Sequence, residues 1–145
     1  MSLFEALGLF KQGKGTAKSH LKNLIEIALA DGQFIDVEYD LLKSIAKRNG
    51  FSEKQLAEIR KNPNAIKLEI PENSKERFYQ FYDLVHMMSI DRLIHTEEMK
   101  LCNLFAIKFG YHRDNIQVLI DSTLSCIENR CSPEDTMGRV IRLLM

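Results

Sequence analysis

The chain has 145 residues, 45 % of them hydrophobic, and its 20 basic and 20 acidic side chains cancel to a formal charge of zero. That length favours a single domain, here 1–145, with a real core, and the charge balance excludes the global surplus expected of a nucleic-acid binder or an acidic disordered tail. No apolar run of about 18 residues exists to span a bilayer, and neither a basic leader nor a clean cleavage site marks a signal peptide, so the expected location is cytoplasmic.

Residues 1–16 read as an N-terminal arm. Leu3, Phe4, Leu7 and Phe10 form a short apolar stripe, suited to a protein partner, to self-association or to weak contact with a membrane surface. Gly8 to Ser19 carries Lys11, Lys14 and Lys18 with Gly13 and Gly15. It reads as a solvated linker between an N-terminal helix and the core, with a mobile basic arm as the alternative. Gly8, Gly13 and Lys14 nearly imitate a phosphate loop, but Gly15 stands where a hydroxyl is needed and no strand precedes it.

Helical periodicity dominates the chain beyond this arm. Leu21, Leu24, Ile25, Ala28 and Leu29 recur at the three-and-four spacing of one helix face, as do Leu41, Leu42, Ile45 and Ala46. Phe78, Phe81, Tyr82 and Val85 repeat the pattern, and so do Ile116, Leu119, Ile120 and Thr123. No stretch alternates with period two, so no sheet is expected. Ser52 opens a capping box closed by Gln55. Ser132-Pro133 starts another helix. Gly50 and Gly110 sit where helices should stop. Lys61 to Ser74, with Pro63 and Pro71, reads as a connection. His86 on its apolar helix reads as partly buried, and Met87 and Met88 as core filling. Cys102, Cys126 and Cys131 form no CxxC pair, so buried free thiols are a better reading than structural zinc.

Shifted by 60 positions, the chain matches itself. Leu24 falls on Leu84, Asp31 on Asp91, Glu38 on Glu98, Leu41 on Leu101, Ala46 on Ala106 and Gly50 on Gly110. The register holds without a gap, which predicts two repeats, about 17–60 and 77–120. The fold class expected is all-α: a compact bundle of two pseudo-symmetric helix–loop–helix repeats, with Leu24, Leu84, Leu41 and Leu101 buried. Each loop carries Asp, two residues, an apolar residue, three residues, Glu. The first loop has the tail of an EF-hand, but Ile27 and Leu29 stand where calcium needs oxygen.

The run Ile27-Ala28-Leu29-Ala30-Asp31-Gly32, with Glu38, Leu41, Leu42, Ile45, Ala46 and Gly50 behind it, resembles the TerB-like family, which includes tellurite-resistance proteins and the N-terminal domain of DjlA co-chaperones. The resemblance covers roughly 17–127. It implies an all-α bundle with internal duplication, a stress-response setting of bacterial type, and acidic loop residues proposed to hold a metal. Carried onto this chain, those residues are Asp31, Glu38, Asp91 and Glu98. The second loop departs by having Arg92 in place of glycine and His95 after Ile94.

The acids admit two readings. If the loops meet, four carboxylates would favour a hard divalent cation such as calcium or magnesium. Alternatively, Asp31 satisfies turn amides, Glu38 and Glu98 sit in first helical turns, Asp36 and Thr96 act as N-caps, and Phe34 and Ile94 are buried staples. His95 reads as a surface histidine near acids. No nucleophile has an activating context and HExxH is absent, so no enzyme is expected. Two function classes result: a non-enzymatic TerB-like stress-response module with a divalent ion, or a metal-free helical interaction scaffold or co-chaperone-type domain.

Overall fold

The computed structural model describes the backbone of residues 3–30 and 35–144, and side chains from Gly15 onward within those ranges. Asp31 and Phe34 therefore lie outside the described residues. Among the described residues, seven α-helices follow in order: α1 (Leu3–Leu29), α2 (Asp36–Arg48), α3 (Glu53–Lys61), α4 (Ser74–Ser89), α5 (Thr96–Lys108), α6 (Arg113–Glu128) and α7 (Pro133–Val140). A 3₁₀ turn, Pro63–Ala65, lies in the connection before α4, and a second, Ile141–Leu144, follows α7. No strand occurs among the described residues, and no helix is long and apolar enough to cross a membrane.

The segment from Gly8 to Ser19 is helical, not a linker. Glycine inside a helix costs about 1 kcal/mol relative to alanine, and at Gly15 a compensation is visible. A Cβ there would lie 2.3 Å from Glu69 Oε2. The missing side chain leaves room for the Glu69 carboxylate, while the 61–74 connection is held against α1 by polar contacts: Ser19 Oγ accepts from the Glu69 amide at 2.9 Å and Lys22 Nζ donates to the Ile66 carbonyl at 3.0 Å.

α4 is buried on nearly every side, with Phe78, Phe81, Leu84, Val85, Met87 and Met88 all in the core. From Phe78 to Met88 no residue of α4 is exposed, and the helix touches α1, α2, α5, α6 and α7. Phe81 and Tyr111 meet edge to face at 5.4 Å. α1 lies beside α4 and runs the same way: the Thr16 carbonyl accepts from Gln80 Nε2, and His20 meets Asp83 one turn further along both helices. The loops that follow α1 and α4 thus leave from the same end of the bundle. Leu24 and Leu84 are fully buried, whereas Leu41 and Leu101 are only half-buried. Their neighbours Leu42 and Cys102 point into the core instead. Leu29 is exposed at the end of α1.

Several features recur sixty residues apart. α1 ends at Leu29 and α4 at Ser89, α2 and α5 span 36–48 and 96–108, and α3 and α6 begin at 53 and 113. Gly50 and Gly110 both adopt left-handed backbone, with φ of 82° and 90°. Each is the C′ residue of a Schellman cap, a place that favours glycine because no Cβ crowds the carbonyl. The halves differ at α3, nine residues long, against sixteen for α6.

Candidate functional site

The acidic loops are built by caps. α2 starts after Ile35 and α5 after His95, one residue earlier than expected. Asp36 and Thr96 are first helical residues rather than N-caps. The glutamate at the third position explains the shift. Glu38 Oε1 accepts from the Ile35 amide and Glu98 Oε1 from the His95 amide, each at 3.2 Å. A carboxylate reaching back from that position satisfies a free helix-start amide and meets the positive end of the helix dipole. Glu38 is 3 % exposed and Glu98 2 % exposed.

Asp91 makes a turn: its Oδ1 accepts from the Leu93 amide at 3.0 Å. Arg92 stands at φ 65°, a left-handed residue in the position that Gly32 holds in the first loop. His95 lies between two acids, its Nε2 3.8 Å from Asp91 Oδ2 and 3.9 Å from Glu98 Oε1. Of the four acids singled out in the sequence, Asp91 and Glu98 therefore share His95, Glu38 caps α2, and Asp31 is not described. Among the described residues, no group of three or more His, Cys, Asp or Glu is arranged to hold a metal ion.

Ile94 is exposed instead of being a staple, and it opens an apolar surface. Together with Met99, Lys100, Asn103, Leu104 and Ile107 it lines a shallow groove of about 600 Å³ along α5. Leu104 is 51 % exposed and Leu93, beside the groove, 64 %. The corresponding face of α2, sixty residues earlier, is built differently. Tyr39, Asp40, Lys43, Ser44 and Lys47 stand where α5 has Met99, Lys100, Asn103, Leu104 and Ile107. There the one aromatic ring is covered by cations, Lys43 Nζ and the Arg60 guanidinium each 4.9 Å from the Tyr39 centroid. The fold thus tolerates a charged, solvated face at this place on α2, whereas on α5 Met99 and Ile107 pack partly against the core and Ile94 and Leu104 are left exposed.

A polar cluster sits between α1 and α4. His20 Nε2 meets Asp83 Oδ2 at 2.9 Å, both residues being nearly fully buried, and Arg48 Nη2 donates to the same oxygen from the end of α2. His20 Nδ1, Asn23 Nδ2 and Gln80 Oε1 are buried without a hydrogen-bond partner. His86, one turn beyond Asp83, has its pKa lowered by burial, against the pull of the Asp83 charge. The sequence pattern alone does not single out His20 and Asp83 as partners. The signal it does carry is the pairing of polar residues at matched places in apolar faces, His20 with Gln80 and Asn23 with Asp83.

No family model matches the chain, and no similar protein was found among curated proteins or solved structures.

Proposed function

We propose that this chain is a non-enzymatic helical interaction module of the TerB-like kind, whose working surface is the apolar face of α5. The contrast between α5 and α2 carries the reading. An apolar groove kept open on one helix, where the corresponding helix is charged, has the form of a surface for an amphipathic helix. Its lining residues recur at three-and-four spacing, so a second helix laid along it meets a continuous strip. The chain carries a segment of that kind: Leu3, Phe4, Leu7 and Phe10, on the helical start of α1. The first occupant proposed is therefore a second copy, its N-terminal stripe seated on α5. The stress-response setting comes from the family resemblance. The internal duplication rests on the sixty-residue register and the caps that recur with it.

Sedimentation of the full chain over a wide concentration range tests this. Concentration-dependent association is expected, and Leu104→Glu and Phe4→Glu should each weaken it while circular dichroism stays unchanged. A chain that remains monomeric at the highest concentration, or association indifferent to both substitutions, rules the second copy out.

The metal reading keeps one supporting observation: α1 and α4 run in parallel, so their acidic loops leave from one end of the bundle. Asp31 and Asp91, with Glu38 and Glu98, would then supply oxygen ligands for calcium or magnesium. Thermal unfolding with calcium, magnesium, manganese and zinc decides it. A saturable rise in midpoint for one ion, lost in Asp31→Asn/Asp91→Asn, supports the site. No shift with any ion removes it and leaves these acids as cap and turn residues.

A further inference from the structure

Among the described residues, three helices end in the same hydrogen-bonded cap. After α2, the Phe51 amide donates to the Ala46 carbonyl at 2.9 Å and the Gly50 amide to Lys47 at 3.0 Å. After α5, Tyr111 donates to Ala106 at 3.1 Å and Gly110 to Ile107 at 3.0 Å. After α6, Cys131 donates to Cys126 at 2.9 Å and Arg130 to Ile127 at 3.0 Å, with Arg130 left-handed at φ 60°. In a Schellman cap, the residue donating the longer-range bond and the one accepting it also bring their side chains together. The first two caps fill that contact with alanine and an aromatic ring. The third fills it with two thiols.

We propose that Cys126 and Cys131 form a reversible dithiol–disulfide site that closes the C-terminal cap of α6 covalently. A disulfide needs two Cα atoms within about 4.4–6.8 Å and Cβ vectors that converge. The direct backbone hydrogen bond between the two residues brings their backbones into that range, and the side-chain contact that usually accompanies this cap sets the two thiols against each other. Cys131 is half-buried and reachable, while Cys126 is buried beneath it. Burial first, and then the neighbouring Cys126 thiol, pushes the Cys131 thiol above its ordinary range. The Tyr82 hydroxyl donates to the Cys131 carbonyl at 3.2 Å, tying this corner to the central helix. Cys102 is the contrasting thiol, fully buried in α5 and pushed up to about 12.

The oxidant is a low-molecular-weight disulfide. The Cys131 thiolate attacks one of its sulfurs, that S–S bond breaks, and the first thiolate leaves. Cys126, losing its proton, then attacks Cys131 Sγ and the second thiolate leaves. The chain gives up two electrons and two protons, and the oxidant becomes two free thiols. Because the thiolate fraction of Cys131 is small, the reaction speeds up as pH rises.

The full chain is incubated with oxidised glutathione, denatured, alkylated and digested with trypsin. Arg130 lies between the two cysteines, so trypsin separates peptide 114–130 from peptide 131–139. The expected product is these two peptides joined, two hydrogens lighter than their sum. Free thiols fall from three to one, Cys102 is alkylated, dithiothreitol reverses the change, and Cys131→Ser abolishes it. Three outcomes overturn the proposal: both cysteines recovered as alkylated thiols, Cys131 recovered only as a glutathione adduct, or Cys102 found in the linkage, which would mean that oxidation followed unfolding.

Discussion

Asp83 is a carboxylate 4 % exposed in the middle of the central helix. It is tolerated because His20 and Arg48 both reach its Oδ2, from residues 63 and 35 positions away. Such partners are invisible to a local pattern, which is why the periodicity of α4 is legible in the sequence and the charge inside it is not. Removing the carboxylate leaves the buried His20 ring with neither nitrogen paired. Breaking a buried pair costs about 3–5 kcal/mol, and the lower end applies because the Arg48 side chain is mostly solvated. Urea unfolding of Asp83→Ala should therefore show a loss of about 3 kcal/mol, with Asp83→Asn losing less. His86, next along the helix, gives the molecule an acid-side sensitivity. Its folded pKa lies below the ordinary 6.5, so below pH 6.5 the unfolded chain binds the proton more readily. Stability is full above that pH and declines as pH falls toward the folded value. His86→Gln should flatten that part of a melting-temperature profile; an unchanged slope would assign it to other groups.

At the scale of helices, what holds each end decides what could be read. Ser52 and Ser132 accept from the amides of Gln55 and Asp135, as their residue types announce. Ile35 and His95 announce nothing, because the cap comes from Glu38 and Glu98 three residues on. The glutamates of the candidate site are thus legible as first-turn acids, while their backbone commitment is not. Glu98→Ala leaves the His95 amide unsatisfied and should lower stability by about 1–2 kcal/mol, read by chemical denaturation. A loss that appears only when a divalent ion is present would favour ion binding instead. α7 offers the opposite sign. Gly138 is exposed within that helix, and a Cβ there meets nothing within 4 Å. Gly138→Ala should raise stability by about 0.5–1 kcal/mol, seen as a higher melting temperature.

Across the whole molecule, the sixty-residue recurrence of the glycine stops and first-turn glutamates is legible in the sequence. The continuous α1 is not, since two glycines and three lysines resemble a linker until Glu69 is seen against Gly15. Nor is the α5 groove, because Leu104 and Ile107 fit a helical pattern whether that face is covered or open. The parallel pairing of α1 with α4 has a consequence for cooperativity. Leu24 and Leu84 belong to one continuous core rather than to two, and α2 touches α4 just as α5 touches α1. Neither half has a private interior to retain when the other loses packing. Leu24→Ala and Leu84→Ala should each cost about 2–5 kcal/mol, lowering the melting temperature by roughly 10 °C for a chain of this size. Leu41→Ala and Leu101→Ala, half-buried, should cost less. In each variant the unfolding followed by helix content and by aromatic signal should coincide in a single transition. Two separated transitions in Leu24→Ala, with residues 77–120 melting at the wild-type temperature, would mean that the halves fold independently and that the contact between α1 and α4 is a docking interface rather than a shared core.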